Sequence, residues 1–293
     1  MDPFKVIQIS DTHLSQKRAY AQHNWEATLC YLNSAKPDLV IHTGDIILDD
    51  PDDTDDFEYG YSQLQRIRFP LRILPGGHDV GDSPPEPWMG QYLTKERRDR
   101  YLHFYSSDRW SLVIGDWCFI GFNCQLFESS SDIKKEEKAQ WKFIEDRLGQ
   151  AKDRSIALFF HKPPCGNSLS EDGDSVSFIP SPSRKILLDL VKRHHIQLLG
   201  TGHRHRYITF QSYGASIVCA PTTGLLSEED NHPTDDGILR NGIVEYVFNA
   251  KSVTHKFVEP PSVKFIKYDK IDTSIPLGSR FLPLFTYKAE QNE

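Results

Sequence analysis

None of the five cysteines, Cys30, Cys118, Cys124, Cys165 and Cys219, forms a Cys-x-x-Cys pair. Their odd number and irregular spacing argue against a disulfide framework and for reduced thiols. No apolar run approaches the roughly 20 residues of a membrane-spanning helix, so no span is expected. No dense Lys/Arg run is present and the formal net charge is −7. A basic stripe for a nucleic-acid polymer is therefore not expected. No segment repeats. The stretch Met1–Ser10 is too short for a signal peptide, so a cytoplasmic protein is expected.

What is present is an ordinary globular composition, with 38% hydrophobic, 26% charged and 12% aromatic residues in 293. Such a chain can bury a sizeable core. Short Val/Ile-rich runs at Phe4–Ile9, Leu39–Ile41 and Leu71–Leu74 alternate with helical patterns at Trp25–Leu32 and Phe57–Ile67. That alternation predicts α/β layers. Further strands are expected at Ser111–Ile114, Trp117–Phe122, Ile156–Phe160, Ile196–Leu199, Tyr207–Gln211, Ser216–Cys219, Ile243–Phe248 and Ser252–Val258. Helices are expected at Lys95–Tyr105, at Glu136–Leu148 and at Ser183–His194, the last with Ser183 as its N-cap. Pro260-Pro261 breaks the pattern, which divides the chain into a domain over 1–259 and an extension over 260–293. Phe281, Leu284 and Phe285 suggest that the extension packs on the domain or on a partner subunit. The acidic stretch Asp49–Glu58 reads as a solvated loop.

Five short segments stand out: Asp11-Thr12-His13, Gly44-Asp45, Gly76-Gly77-His78-Asp79, His161, and Gly202-His203-Arg204-His205. Each follows an expected strand, the edge where open α/β sheets bind ligands. Alternate residues of an extended segment share a direction, so Asp11 and His13 are expected to face one centre, as are His203 and His205. Carboxylate and imidazole without thiolate suit manganese, iron or zinc. Two ions about 3.5–4 Å apart need a shared carboxylate. Asp45, alone between the two pairs, is the natural bridge. The remaining histidines have simpler readings: His42 is structural, His194 and His195 end a helix, and His23, His103, His232 and His255 are surface or satisfied core residues. Lys162 and Arg204 flank ligands and read equally well as phosphate-binding groups or as solvated charge.

In order and spacing these segments resemble the calcineurin-like metallophosphoesterase signature, over Asp11–His205. The stretches around Pro75–Gly81 and Arg109–Leu126 are most similar to the cyclic-nucleotide-phosphodiesterase-like branch. The resemblance implies a four-layer α/β/β/α sandwich with two mixed sheets. It implies two divalent ions per chain, manganese or iron favoured and zinc compatible. Asp11, His13, Asp45 and His205 would hold one; Asp45, His161 and His203 would hold the other. His78 would be catalytic, with Asp79 orienting its ring, and a metal-bridging hydroxide would attack phosphorus. The implied substrate is a phosphodiester or small phosphomonoester, and homo-oligomerisation is left open. Leu48 stands where purple acid phosphatases carry Tyr, and Leu48-Asp49-Asp50 replaces the Ser/Thr-phosphatase continuation. The family Asn that ligates the second metal and touches phosphate falls at Gly77, which has no side chain. That departure keeps two alternatives open: an oxygen-dependent di-iron reaction at the open position, or a catalytically weak scaffold.

Overall fold

The computed structural model describes residues 2–83, 90–130, 132–165, 177–226 and 237–267. Side-chain alternation along its strands sorts the core into layers. In β1 (Phe4–Ile9), Phe4 and Val6 point to one side, Ile7 and Ile9 to the other. In β2 (Leu39–His42), Leu39 and Ile41 share the side of Val6, and Val40 that of Ile7. β5 (Trp117–Gly121) and β6 (Ser155–Phe159) behave alike: Phe119, Ala157 and Phe159 face one way, Ile120, Ile156 and Leu158 the other.

β1 and β2 are continued by β3 (Leu71–Ile73), all parallel, while β10 (Ile243–Phe248) and β11 (Val253–Val258) add antiparallel strands beyond β1. The sheet order is β11-β10-β1-β2-β3. With β4 (Trp110–Ile114), β7 (Leu198–Thr201), β8 (Ile208–Ser212) and β9 (Ala215–Cys219), the second sheet runs β4-β5-β6-β7-β9-β8. Both sheets are mixed, as expected.

Three apolar clusters separate four layers. Phe4, Phe119, Phe159, Tyr246 and Phe248 fill the space between the sheets. Phe248 stacks on Phe4 at 5.1 Å and meets Phe119 edge-on at 5.0 Å. Outside the first sheet, α1 (Gln22–Ala35) contributes Trp25, Leu29 and Leu32, and α2 (Thr54–Leu64) contributes Phe57 and Leu64. Tyr101 comes from α4 (Lys95–Tyr105). Outside the second sheet lie Ile144 and Leu148 of α5 (Lys134–Ala151) and Leu187, Leu190 and Val191 of α6 (Ser181–Arg193). Each such burial stabilises by about 1.5–3 kcal/mol. A single-turn helix, α3 (Gly77–Val80), follows β3; nothing in the apolar pattern announces it.

Several expectations change. Pro180, not Ser183, occupies the N-cap of α6. Ser183 is inside the first turn, where its hydroxyl donates to Glu128 Oε1 at 2.7 Å. The acidic stretch is tied down rather than merely solvated. Asp53 caps α2 by accepting from the N–H groups of Asp55 and Asp56. Asp49 pairs with Arg18, and Asp52 pairs with Arg97 and Arg100. Of the extension, residues 260–267 run back over the domain. Lys264 N donates to Asn24 Oδ1, and Ile266 is buried with Tyr20, Leu48 and Leu225. Its remainder, with Phe281, Leu284 and Phe285, lies outside the described residues. No described helix is long and apolar enough to cross a membrane.

Candidate metal centre

The five segments follow the C-terminal ends of β1, β2, β3, β6 and β7, strands that are parallel within their sheets. The two sheets therefore deliver all six candidate ligands to one edge. The local backbone is not extended as expected. Asp11, His13, Asp45, His203 and His205 have φ of 53°, 47°, 54°, 72° and 53°. Left-handed residues on either side of Thr12 bring Asp11 and His13 into one trio, whereas those on either side of Arg204 send His203 and His205 into different trios, contrary to expectation. Each such residue costs of order 1–2 kcal/mol, and such strain gathers at functional sites. Thr222 helps to hold this backbone by donating its hydroxyl to Asp11 O at 2.8 Å.

Gly44 makes the meeting of the loops possible. Its φ is +108°, and a Cβ there would lie 2.5 Å from Gly76 N and 2.8 Å from His161 Nδ1. Gly44→Ala is expected to combine backbone strain with a clash, destabilising the fold by about 2–6 kcal/mol. Denaturant unfolding checks this; an unchanged midpoint contradicts it.

Two trios converge. Asp11, His13 and His205 present ligand atoms within 4.8 Å of one another, and so do Asp45, His161 and His203. The hydrogen bonds around them say what fits between. His161 Nδ1 lies 2.8 Å from Thr43 O. A carbonyl only accepts, so Nδ1 carries a proton and the Nε2 lone pair is aimed inward. It points at Asp45 Oδ2, 3.2 Å away, and at His203 Nδ1, also 3.2 Å away. His13 repeats the pattern: Nδ1 meets Leu48 O at 3.1 Å, and Nε2 faces His205 Nε2 at 3.0 Å. His205 Nε2 is also 3.4 Å from Asp11 Oδ1. Lone pairs and carboxylates pointed at one another from buried positions demand a cation between them. Backbone carbonyls behind ligating histidines are the usual orienting partners.

The titration of these groups reflects the same demand. Burial pulls the His161 pKa down, but Asp45 and Asp11 hold it up at about 9, so that a proton takes up the Nε2 lone pair in the place of a metal. Burial, His78 and His205 push His13 down to about 3, leaving a neutral imidazole suited to a metal. Burial opposes ionisation of Asp11 and Asp45, yet the surrounding histidines hold both carboxyls low. His42 is outside the site, as expected. Its Nδ1 accepts from Gly44 N at 3.1 Å, its Nε2 meets Thr12 Oγ1 at 2.9 Å, and burial lowers its pKa to about 3.

His78 sits at the mouth. Its Nε2 is 3.9 Å from Asp45 Oδ2, its ring meets His13 edge-on at 4.9 Å, and a fifth of the side chain (21%) is exposed. The carboxylate of Asp79 is engaged with backbone. It accepts from Gly76 N at 2.8 Å, Ile46 N at 2.9 Å and Ile47 N at 3.2 Å. Asp79 thereby ties the Asp45 loop to the turn that carries His78, whose own N–H donates to Asp45 Oδ1 at 2.9 Å. Burial and the Asp45 charge push the Asp79 carboxyl up to about 7, against those three donors.

Gly77 has a right-handed backbone, and a Cβ built on it would lie 3.2 Å from Asp82 Cγ. Asp82 Oδ1 pairs with Lys162 Nζ at 2.7 Å, and Nζ reaches Ser83 Oγ at 3.1 Å. The Lys162 side chain has no exposure, which corrects its reading as solvated charge. Arg204 is likewise buried, its guanidinium 5.1 Å over the Phe178 ring. Sequence reasoning missed Asp82. The available signal was an acidic residue just past Gly81, whose φ of +85° folds the chain back toward Gly77.

Comparison with known proteins agrees with this geometry. The family model described as calcineurin-like phosphoesterase matches residues 4–207. The chain is 27% identical over 216 residues to a probable glycerophosphodiester phosphodiesterase, GpdQ, of Arcobacter nitrofigilis, covering 70% of this chain and 72% of that one. It is 24% identical over 248 residues to the human serine/threonine-protein phosphatase CPPED1, covering 81% and 73%. A dimetal phosphatase from Danio rerio superposes with a TM-score of 0.61 at 12% identity, over 87% of this chain and 96% of that one. The purple acid phosphatase PPD1 of yellow lupin gives 0.62 at 13% identity, over 91% and 53%. The matched segment contains every candidate ligand, and the chain belongs to the calcineurin-like phosphoesterase family.

Proposed function

We propose that this metal-dependent phosphoesterase hydrolyses a phosphodiester or small phosphomonoester at two divalent ions. Asp11, His13, Asp45 and His205 hold one ion, and Asp45, His161 and His203 the other. The observation that carries the reading is the convergence of two trios, each with two buried members and one half-buried histidine, with Asp45 Oδ2 3.2 Å from His161 Nε2. The oxygen- and nitrogen-donor set favours manganese or iron and accommodates zinc. Bound there, the ions would polarise phosphoryl oxygens and activate water. Relatives named as glycerophosphodiester and cyclic nucleotide phosphodiesterases favour a diester. Free cysteines fit a cytoplasmic location.

His78 is the group in this reading that moves a proton. It is partly exposed at the mouth and stands beside Asp45, where it can protonate the leaving oxygen. Asp79 fixes that position by holding the turn rather than by touching substrate. His78→Ala is expected to lower turnover by about 10²–10⁴ while leaving metal content near two per chain. Elemental analysis beside steady-state rates checks both halves; unchanged turnover would show that the role is misassigned. The broader test is a phosphoester panel with manganese-loaded protein. Failure to cleave any member at full metal occupancy rejects the proposed activity. The rival dioxygen reading would require oxygen consumption by iron-loaded protein, whereas a hydrolase works with manganese and no oxygen.

A further inference from the structure

We propose that Asp82, presented by Lys162 and Ser83, is a fourth protein group of the second metal site and takes over from the side chain that Gly77 lacks. The proposal rests on the two-metal reading above. It starts from place: the Asp82 carboxylate lies on the Cβ side of Gly77, with Cγ and Oδ1 3.2 Å and Oδ2 3.5 Å from where a Cβ would be. A side chain at 77 and the carboxylate of 82 thus compete for one volume.

Chemistry points the same way. A carboxamide offers one oxygen to a metal and an N–H to a phosphoryl oxygen, and it is neutral. The Asp82–Lys162 pair offers a carboxylate oxygen and an ammonium N–H, and it is neutral as a unit. Lys162 directly follows His161, so the ammonium is tethered to a ligand of the same ion.

The pair is not explained by folding alone. Burying two charges is expensive, and such pairs are often replaceable by apolar groups. The backbone of Asp82 is already anchored, its N–H donating to Gln91 O at 2.7 Å and its carbonyl accepting from Leu93 N at 3.0 Å. Lys162 Nζ and, at 3.2 Å, Ser83 N both engage Oδ1, which leaves Oδ2 the oxygen open to an ion, on a side chain only 7% exposed.

The test is calorimetric titration of the metal-stripped full chain with manganese, which reads the two sites without reference to turnover. Asp82→Ala combined with Lys162→Met removes the carboxylate without stranding the ammonium. It is expected to weaken the second ion by about 10–100-fold and leave the first unchanged. Adding Gly77→Asn to that background should recover second-site affinity, because the volume is now free. Gly77→Asn alone should weaken rather than tighten the second ion, since its side chain meets Asp82. Should the double variant fail to fold, Asp82→Asn keeps the shape and removes the charge, and second-site weakening is again expected. Wild-type second-site affinity in a folded double variant, or in Asp82→Asn where that is the variant read, overturns the proposal. A wild-type chain that binds two ions yet cleaves no phosphoester rejects the functional reading and leaves this one standing.

Discussion

Asp45→Ala is expected to give the largest functional loss of any single substitution. Metal content should fall from two ions toward one or fewer, and turnover should fall by on the order of 10³–10⁵, the equivalent of several kcal/mol of lost charge stabilisation. Asp45 belongs to the trio with His161 and His203, and in the proposed reading both ions share it. Its Oδ2 is 3.2 Å from His161 Nε2 and 3.9 Å from His78 Nε2, and its Oδ1 accepts the His78 N–H at 2.9 Å. On the shared-ligand reading alanine removes a ligand from both ions; it also leaves the buried His161 imidazole without its anion and loosens the turn carrying His78. The left-handed backbone at φ 54° adds strain of its own. Asparagine tolerates that conformation, so Asp45→Asn separates charge from strain. It should keep the fold and still lose metal. Elemental analysis of both variants after manganese loading decides; two retained ions in Asp45→Ala would show that Asp45 is not shared.

The members of the two trios were legible because each motif is short and sits where a strand stops. Val-Ile-Gln-Ile before Asp11 and Leu-Val-Ile-His before Gly44 read directly as strand and loop. The way those ligands converge was not legible. Extended alternation and a left-handed turn both bring Asp11 and His13 to one side, and only the backbone distinguishes them. Helix ends were blurred where polar residues are buried by distant partners. Asn24, near the start of α1, donates to Gly224 O and Lys264 O, residues at least 200 positions away. Strand order was hidden for the same reason: β10, far along the chain, pairs antiparallel with β1. The Asp82–Lys162 pair is the sharpest case. Lysine usually means surface, and neither residue names its partner 80 positions away.

Lys162→Met tests that pair through stability. The Lys162 side chain has no exposure and that of Asp82 has 7%, so deleting the ammonium leaves a buried carboxylate whose closest cation is gone. Breaking a buried pair from one side costs about 3–5 kcal/mol, whereas replacing both partners with neutral groups is close to neutral. A chain of this size loses about 2–4 °C of Tm per kcal/mol, so Lys162→Met should melt about 6–20 °C lower. Adding Asp82→Asn should restore most of the loss, and the double-mutant cycle gives the coupling directly. Manganese adds a second axis. An ion bound beside Asp82 substitutes for the missing ammonium, so saturating manganese should recover more Tm in Lys162→Met than it adds to the wild type. Calorimetric melting with and without the metal measures both effects. A Tm within about 2 °C of wild type, below the shift that 1 kcal/mol produces, would mean that Asp82 finds another cation. An equal manganese increment in the two proteins would mean that the carboxylate does not feel the second ion.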